Sequence, residues 1–167
     1  MSRVTRRRAE AARGREWGAL VAWIIGVEAV GGLGTLLARP GAWYAGLDQP
    51  PATPSTGLLT LGWSVSYLLL ALAMWLAWRE RARVPVRREL MVAGAMIALS
   101  LLWTICLFGA RRPDLAGLVA TASWILAVFL LRRFGGIRRL AAAFLVPVFC
   151  WVSYIAAVTI GIWLRNG

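Results

Sequence analysis

Apolar residues along this chain fall into five long blocks separated by short polar segments. The blocks cover residues 18–38, 58–78, 90–110, 115–131 and 140–164. Each approaches the roughly 20 residues that a helix needs to cross a hydrocarbon core about 30 Å thick. Soluble helices would carry polar faces, whereas these blocks hold one glutamate and otherwise only charges at their extreme ends. The pattern predicts an all-α integral membrane protein, a bundle of five transmembrane helices.

Composition supports the same class of protein. Of the 167 residues 60% are hydrophobic, and the mean hydropathy of +0.68 is too high for an ordinary soluble domain. The length suits one domain. We therefore expect a basic cytoplasmic N-terminal tail over residues 1–15 and a single membrane domain over residues 16–167.

Basic residues are distributed unevenly between the two ends of the predicted bundle. All 19 are arginines, and all but Arg39, Arg111, Arg112 and Arg165 precede the first block or lie between blocks two and three or four and five. The positive-inside rule then predicts that the N-terminus lies in the cytoplasm, and that the C-terminus and the loop between the first two spans lie outside. Such a basic rim orients the chain and contacts anionic lipid, and it does not indicate a nucleic-acid partner.

Few side chains could carry acid–base or metal chemistry. The sequence has no histidine and no lysine, which excludes His-ligated haem, a Ser/His catalytic pair, Schiff-base chemistry and most zinc sites. Cys106 and Cys150 lie inside blocks without the spacing of a metal or redox pair. We expect no metal site and interpret both thiols as buried, small apolar side chains.

Glu28 is the one acidic residue in the middle of a block. A carboxylate at that depth is costly, so we expect it to face the bundle interior. Two interpretations stay open: a structural hydrogen bond across the small residues Gly31, Gly32 and Gly34, or a functional intramembrane acid. The pair of intramembrane carboxylates typical of many proton-coupled transporters is absent from the sequence.

Tryptophan is the most informative residue type in this chain. Four of the ten tryptophans, Trp17, Trp43, Trp78 and Trp163, lie near block ends, where an indole prefers the lipid headgroup region. Four others lie within blocks or at their inner edges: Trp63, Trp103, Trp124 and Trp151. Ordinary packing explains any one of these. Together, on different helices, they predict an aromatic-lined cavity for a planar apolar molecule.

Spacing places polar or aromatic partners beside three of the inner tryptophans. Trp63 and Tyr67 are four residues apart and therefore share a helix face, with Thr60 and Ser64 nearby. The corresponding groups in later blocks are Ser100, Trp103 and Thr104, and then Trp151, Tyr154 and Ile155.

The segment "WYAGLDQPPATP", residues 43–54, separates the first two blocks. Pro50, Pro51 and Pro54 cannot continue a helix, and each restricts the residue before it. We predict a stiff, extended cap rather than a mobile linker, with Ser55 or Thr56 as the N-cap of the second span.

Three motifs, in order, resemble those of the TspO/MBR family, the tryptophan-rich sensory proteins of bacteria and the translocator protein of mitochondria. The stretch "WYAGLDQPPATPSTGLLTLGWSVSY" is similar to the family pattern WYxxLxKPxWxPPxxxFxxxWxxLY, "LLWTICLFGARR" to its third-helix motif, and "FLVPVFCWVSYIAAVTIGIWLRN" to its fifth-helix motif. The matching positions are Trp43, Tyr44, Leu47, Pro50, Pro54, Trp63, Tyr67, Trp103, Thr104, Phe108, Gly109, Pro147, Trp151 and Asn166. The likeness covers about residues 26–166.

Several positions depart from the family pattern. Ile160 replaces the tyrosine of the cholesterol-recognition motif of animal members, which argues against steroid transport. The other departures are Gln49 for lysine, Ala52, Gly57 and Leu59 for aromatics, Ser55 for proline, Ser100 and Thr159 for asparagines, and Val148 for tyrosine.

The resemblance implies a five-helix bundle, often a homodimer, with a ligand pocket beneath the loop between helices one and two. Family members bind porphyrins and related tetrapyrroles. We therefore expect a receptor or sensor of the bacterial inner membrane that binds a planar apolar ligand, a tetrapyrrole such as porphyrin or haem, without a covalent link. The expected ligand-binding residues are Trp43, Leu47, Pro50, Trp63, Tyr67, Trp103, Pro147, Trp151 and Ile155.

Two alternatives to a receptor stay open. Some family members promote light- and oxygen-dependent porphyrin breakdown with two pocket tryptophans, which correspond to Trp63 and Trp151 and would then be catalytic. The chain would otherwise be a small structural subunit of a larger membrane complex. Small residues at four-residue spacing permit close helix contact, either in a homodimer or within one subunit. They are Ala22 with Gly26, and Gly94 with Ala98.

Overall fold

The computed structural model describes the backbone of residues 3–167 and the side chains of residues 14–167. The helices in this part of the chain are α1 (Arg3–Leu37), α2 (Ala42–Ala45), α3 (Thr56–Arg79), α4 (Arg87–Thr104), α5 (Pro113–Ile137) and α6 (Arg139–Asn166). All except α2 are long and apolar enough to span a membrane, which confirms the predicted five-helix membrane bundle. Helix α1 begins within the predicted basic tail, and the side chains of residues 1–13 lie outside the described part.

Local sequence explains where the helices begin. The Ser55 hydroxyl accepts a hydrogen bond from the Leu58 N–H at 3.3 Å, so Ser55 is the N-cap of α3. Helix α5 starts at Pro113, whose missing N–H costs nothing in a first turn. Just before it, Arg111 has a φ of 57°, the left-handed conformation that turns the chain between α4 and α5.

After Thr104, the last residue of α4, the chain stays helical but its hydrogen-bonding pattern changes. A π-helical turn over Ile105–Gly109 continues the helix toward the loop between α4 and α5. A π turn is wider than an α turn and changes the direction of the side chains that follow. It carries Phe108, which lies among the aromatic residues described below. Cys106 in the same turn is buried as predicted, whereas Cys150 on α6 is exposed, so the prediction of a buried thiol is wrong there.

Ion pairs join the helices at the end of the bundle opposite to residues 38–55, which we call the arginine end. Arg133 on α5 donates to the Glu89 carboxylate on α4 at 2.7 Å, and Glu89 is only 1% exposed. Further pairs are Arg79 with Glu16 at 3.1 Å and Arg138 with Glu80 at 3.3 Å. The first pair helps to explain why α5 continues past the predicted block, because Arg133 binds a buried partner on α4 instead of ending the helix.

At the other end, the loop end, the segment between α1 and α3 is fastened to α6. The Asp48 N–H donates to the Asn166 side-chain oxygen at 2.9 Å, and the Asn166 amide donates back to the Asp48 carbonyl at 3.0 Å. The Tyr154 hydroxyl donates to the Ala52 carbonyl. These contacts hold the segment against α6 from both ends.

The prediction of an extended cap in this segment is wrong in part. Residues Ala42–Ala45 form the single turn of α2, and the Thr53 N–H bonds to the Pro50 carbonyl at 2.9 Å in a turn. Nothing in residues 42–45 prevents a helical turn, because the first proline of the cap comes only at position 50.

Helix α1 is the least buried of the five spans. It packs against α3 and α4, whereas α5 and α6 pack closely along their lengths. Gly26 on α1 and Gly94 on α4 face open space, where an added methyl group would meet nothing within 4 Å. These small residues therefore make no close helix contact within this subunit, and a homodimer stays a prediction.

Candidate functional site

Trp63, on α3, lies at the centre of an aromatic cluster near the loop end. Its ring stacks on Tyr67, one turn along the same helix, with 5.5 Å between ring centroids. It also contacts Trp103 of α4 at 5.6 Å and Trp151 of α6 at 6.4 Å, the latter edge to face. Three helices thus contribute rings to one contact, as the sequence spacing predicts for an aromatic-lined region.

The cluster extends outward in two directions. Trp103 contacts Phe108 of the π turn at 5.6 Å, and Phe108 contacts Tyr44 of α2 at 5.0 Å. On the other side, Trp151 contacts Tyr154, whose hydroxyl fastens the loop. Burial raises the pKa of the Tyr44 phenol, whose ring covers this end of the cluster.

A cavity of about 730 Å³ lies beside this cluster, between α1, α3 and α4. Its size falls in the range of roughly 300–1,000 Å³ that is usual for small-molecule sites. The lining residues on α1 share one face because they recur at helical spacing, and those on α3 do the same. They include Glu28, Gly32, Thr35 and Arg39 on α1 and its end, Leu59, Thr60, Trp63, Ser64 and Tyr67 on α3, and Trp103, Thr104 and Phe108 on α4 and its π turn.

A glycine positions the inner wall of the cavity. A methyl group at Gly31 would overlap the Tyr67 ring, so the absence of a side chain lets Tyr67 lie directly against α1. The Tyr67 hydroxyl is 2.8 Å from the Ser100 hydroxyl, which itself donates to the Ile97 carbonyl at 2.7 Å. Tyr67 therefore donates to Ser100 and is held between α1 and α4.

The cavity is open along the line between α1 and α3. Thr35, Thr60 and Ser64 line it and are exposed on the surface of the bundle. The Thr60 hydroxyl bonds to the Thr56 carbonyl at 3.0 Å, so part of this polar lining is already satisfied by its own helix. This opening runs along the apolar spans of α1 and α3 and reaches Arg39 at the loop end.

Hydrogen bonding differs among the three tryptophans of the cluster. The Trp103 indole N–H donates to the Thr159 hydroxyl at 3.1 Å, where the family pattern has asparagine. The buried indole N–H groups of Trp63 and Trp151 have no partner among the described residues. A buried N–H without an acceptor is uncommon and marks a place where a ligand atom could bond.

The predicted ligand-binding residues fall into two groups. Trp63, Tyr67 and Trp103 border the cavity. The other six do not. On α6, Trp151 packs behind Trp63, Ile155 is buried beneath Trp63, and Pro147 is exposed on the bundle surface. The remaining three lie in the segment between α1 and α3, where Pro50 packs on Gly161; the other two are Trp43 and Leu47.

Glu28 lines the cavity, half-buried, in the middle of α1. None of the hydrogen bonds or ion pairs among residues 14–167 involves its carboxylate. One interpretation of Glu28 is a hydrogen bond across Gly31, Gly32 and Gly34. No such bond is present among the described residues. The carboxylate faces the empty space instead.

Two polar residues of the cavity lining, Thr35 and Arg39, were missed by the sequence reasoning. The signal was present, because positions 28, 32, 35 and 39 follow one face of a helix at spacings of three and four. Arg39 was counted only as a charge at the end of a span. Its Nε–H donates to the Thr35 carbonyl at 2.8 Å, which holds the guanidinium at the mouth of the cavity.

Comparison with known proteins agrees with this architecture. The sequence model of the TspO/MBR family matches residues 19–164. The chain is 31% identical to the Tryptophan-rich protein TspO of Archaeoglobus fulgidus over 149 residues, 88% of this chain and 96% of that protein. It is 29% identical to the Tryptophan-rich protein TspO of Chlorobaculum tepidum, over 72% and 77% of the two chains. It is 27% identical to the Translocator protein of Ovis aries, over 74% and 75%.

Proposed function

The chain belongs to the TspO/MBR family, and we propose that it is a membrane receptor or sensor that binds a planar apolar ligand, a tetrapyrrole such as porphyrin or haem. The ligand occupies the cavity between α1, α3 and α4, one end of which lies beneath the segment that joins α1 to α3. The observation that carries this proposal is a cavity of about 730 Å³ bordered by the rings of Trp63, Trp103 and Phe108.

Several features support a flat ligand over an ion. The cavity wall combines aromatic rings with the hydroxyl groups of Thr60, Ser64 and Thr104, and it contains a single carboxylate. Flat rings can stack on a planar ligand, and scattered hydroxyl groups can bond its polar edges. An opening along the apolar spans of α1 and α3 suits an apolar ligand that is dissolved in lipid.

Titration of protoporphyrin IX into the purified protein tests the proposal. The shift of the porphyrin absorption band reports binding without depending on protein tryptophans. We expect Trp63→Phe to weaken binding by about two- to tenfold, since one aromatic contact contributes about 0.5–1.5 kcal/mol. Trp124→Phe is the matched control, because Trp124 is 39% exposed and lies outside the cavity. No binding by the wild type, or equal weakening in both variants, would contradict the proposal.

Light-dependent porphyrin breakdown is the second candidate function. The edge-to-face contact between Trp63 and Trp151 supports it, because adjacent indoles could exchange an electron during oxidation. Illumination of the same complex in oxygen separates the candidates. If the porphyrin absorbance falls no faster than in a protein-free sample, breakdown is rejected and ligand binding is the remaining candidate function.

The orientation in the membrane is also a proposal. The arginine end would face the cytoplasm of a bacterial inner membrane, and the loop end would lie outside. A cysteine at Gly46, which is exposed in the loop, should react with an impermeant thiol reagent added to intact cells. Reaction only after the cells are opened would reverse the orientation.

A further inference from the structure

Two opposite charges line the cavity at different depths. Arg39 lies at its mouth near the loop end, and Glu28 lies deeper on the same face of α1. They are eleven residues apart. At a rise of 1.5 Å per residue, their backbone positions are about 16 Å apart along the helix. This distance is too long for an ion pair between them and comparable with the length of a small planar molecule.

The inner charge has no counter-charge. The Glu28 carboxylate makes no ion pair or hydrogen bond with residues 14–167, and the Tyr67 phenol lines the same cavity. An ionised carboxylate within a membrane span is costly unless something pairs with it. A ligand that brings a positive charge or a strong hydrogen-bond donor to this depth would offset that cost.

The outer charge has unused donors. Only the Nε–H of Arg39 is bonded, to the Thr35 carbonyl, and neither terminal guanidinium nitrogen has a partner among the described residues. A guanidinium offers paired N–H groups that match a carboxylate or phosphate. Its place at the mouth suits an anionic group that remains near the membrane surface.

The wall between the two charges combines aromatic and apolar side chains, among them Leu59, Trp63 and Phe108, with a few hydroxyl groups. We infer that Glu28 and Arg39 make this cavity selective for a flat ligand that carries an anionic group at its outer end and a protonated amine, or another strong hydrogen-bond donor, at its inner end. This inference rests on the proposed function, because it names the chemical class of ligand for the same cavity.

Three synthetic probes test the two ends separately. The parent probe is a porphyrin with a 4-carboxyphenyl group at position 5 and a 4-(aminomethyl)phenyl group at position 15. The second probe has its amine acetylated, and the third has its carboxyl group methylated. Affinities are measured by the absorption shift in lipid nanodiscs, with protoporphyrin IX as the reference ligand.

We expect the wild type to bind the parent about tenfold more tightly than either modified probe, since a hydrogen bond to a charged group is worth about that factor. Glu28→Gln should abolish the preference for the free amine and keep the preference for the free acid. Arg39→Gln should abolish the preference for the free acid and keep the preference for the free amine. Glu16→Gln is the control. Glu16 lies outside the cavity and pairs with Arg79, so this variant should keep both preferences.

The outcomes separate the inference from the proposed function. Suppose that the wild type binds protoporphyrin IX. If it then binds the three probes with equal affinity, or does not bind the parent probe, only the inference is overturned. Preferences that persist in Glu28→Gln and Arg39→Gln also overturn it, since other groups would then read the ligand. Failure of the wild type to bind any porphyrin overturns both.

Discussion

Helix α3 contacts α6 on one side and faces α1 across the cavity on the other, and the two sides differ in how they accommodate an aromatic ring. Toward α6, a methyl group at Gly62 would overlap the Trp151 ring, so the indole lies flat against the backbone of α3. Trp151 is surrounded there by Trp63 and Tyr154. This side is closed.

Toward α1, the roles of the helices are exchanged. Gly31 belongs to α1, and the ring that fills the space is Tyr67 of α3. Beyond this contact the helices diverge, and Thr60 and Ser64 are exposed along the opening. The same pairing of a glycine with an aromatic ring therefore closes one interface and forms the inner wall of a cavity at the other.

The largest expected effect is at the closed side. Gly62→Ala should lower the free energy of unfolding by about 1–3 kcal/mol, because Trp151 is confined and overpacking cannot be relieved cheaply. Thermal unfolding in detergent, followed by circular dichroism, measures it. Gly94→Ala is the control, since its methyl group meets nothing within 4 Å and the change should be neutral or stabilising by about 0.4–1 kcal/mol. Equal destabilisation by both changes would remove the distinction.

A smaller effect is expected at the cavity side. In Gly31→Ala the Tyr67 ring can move into the cavity, so the main loss is its hydrogen bond to Ser100, about 1 kcal/mol. In a Tyr67→Phe background that bond is already gone, and the same glycine change should then cost less. A cost as large as that of Gly62→Ala, unchanged by the background, would show that the cavity side is as confined as the other.

The smallest effect on stability should accompany a clear effect on binding. Ser64→Leu places a larger side chain at the exposed opening, so we expect the free energy of unfolding to change by no more than about 0.5 kcal/mol. Protoporphyrin IX affinity should nevertheless fall, because the leucine occupies part of the cavity. Leu68→Phe, one turn further and outside the cavity lining, serves as the control. Unchanged affinity in Ser64→Leu would move the ligand away from this opening.

Much of the architecture could be predicted from sequence because the relevant signals are local. Apolar blocks determine the spans, and a serine before the second span caps it as expected. The four-residue spacing of Trp63 and Tyr67 correctly places both on one helix face, and both border the cavity. These features depend only on helical geometry and on the cost of polar groups in lipid.

The rest depends on how closely the helices approach, which a single sequence does not state. Whether Trp151 faces the cavity or packs behind Trp63 is decided by the contact with Gly62. The π turn at Ile105–Gly109 has no local sequence signal, yet it places Phe108 in the cavity wall. Arg39 shows the opposite case, since its spacing from Glu28 was readable and was overlooked.

The bond between Asp48 and Asn166 joins positions 118 residues apart in the chain. A ribosome synthesises Asp48 long before Asn166, the last residue of α6. Helix α1 therefore enters the membrane before α6 can bind the loop. During that interval the loop lacks its hydrogen bonds to α6, and the sides of α3 and α5 that α6 later covers are open to lipid or to a chaperone. Helix α6 therefore acts as a latch whose insertion completes the five-helix bundle.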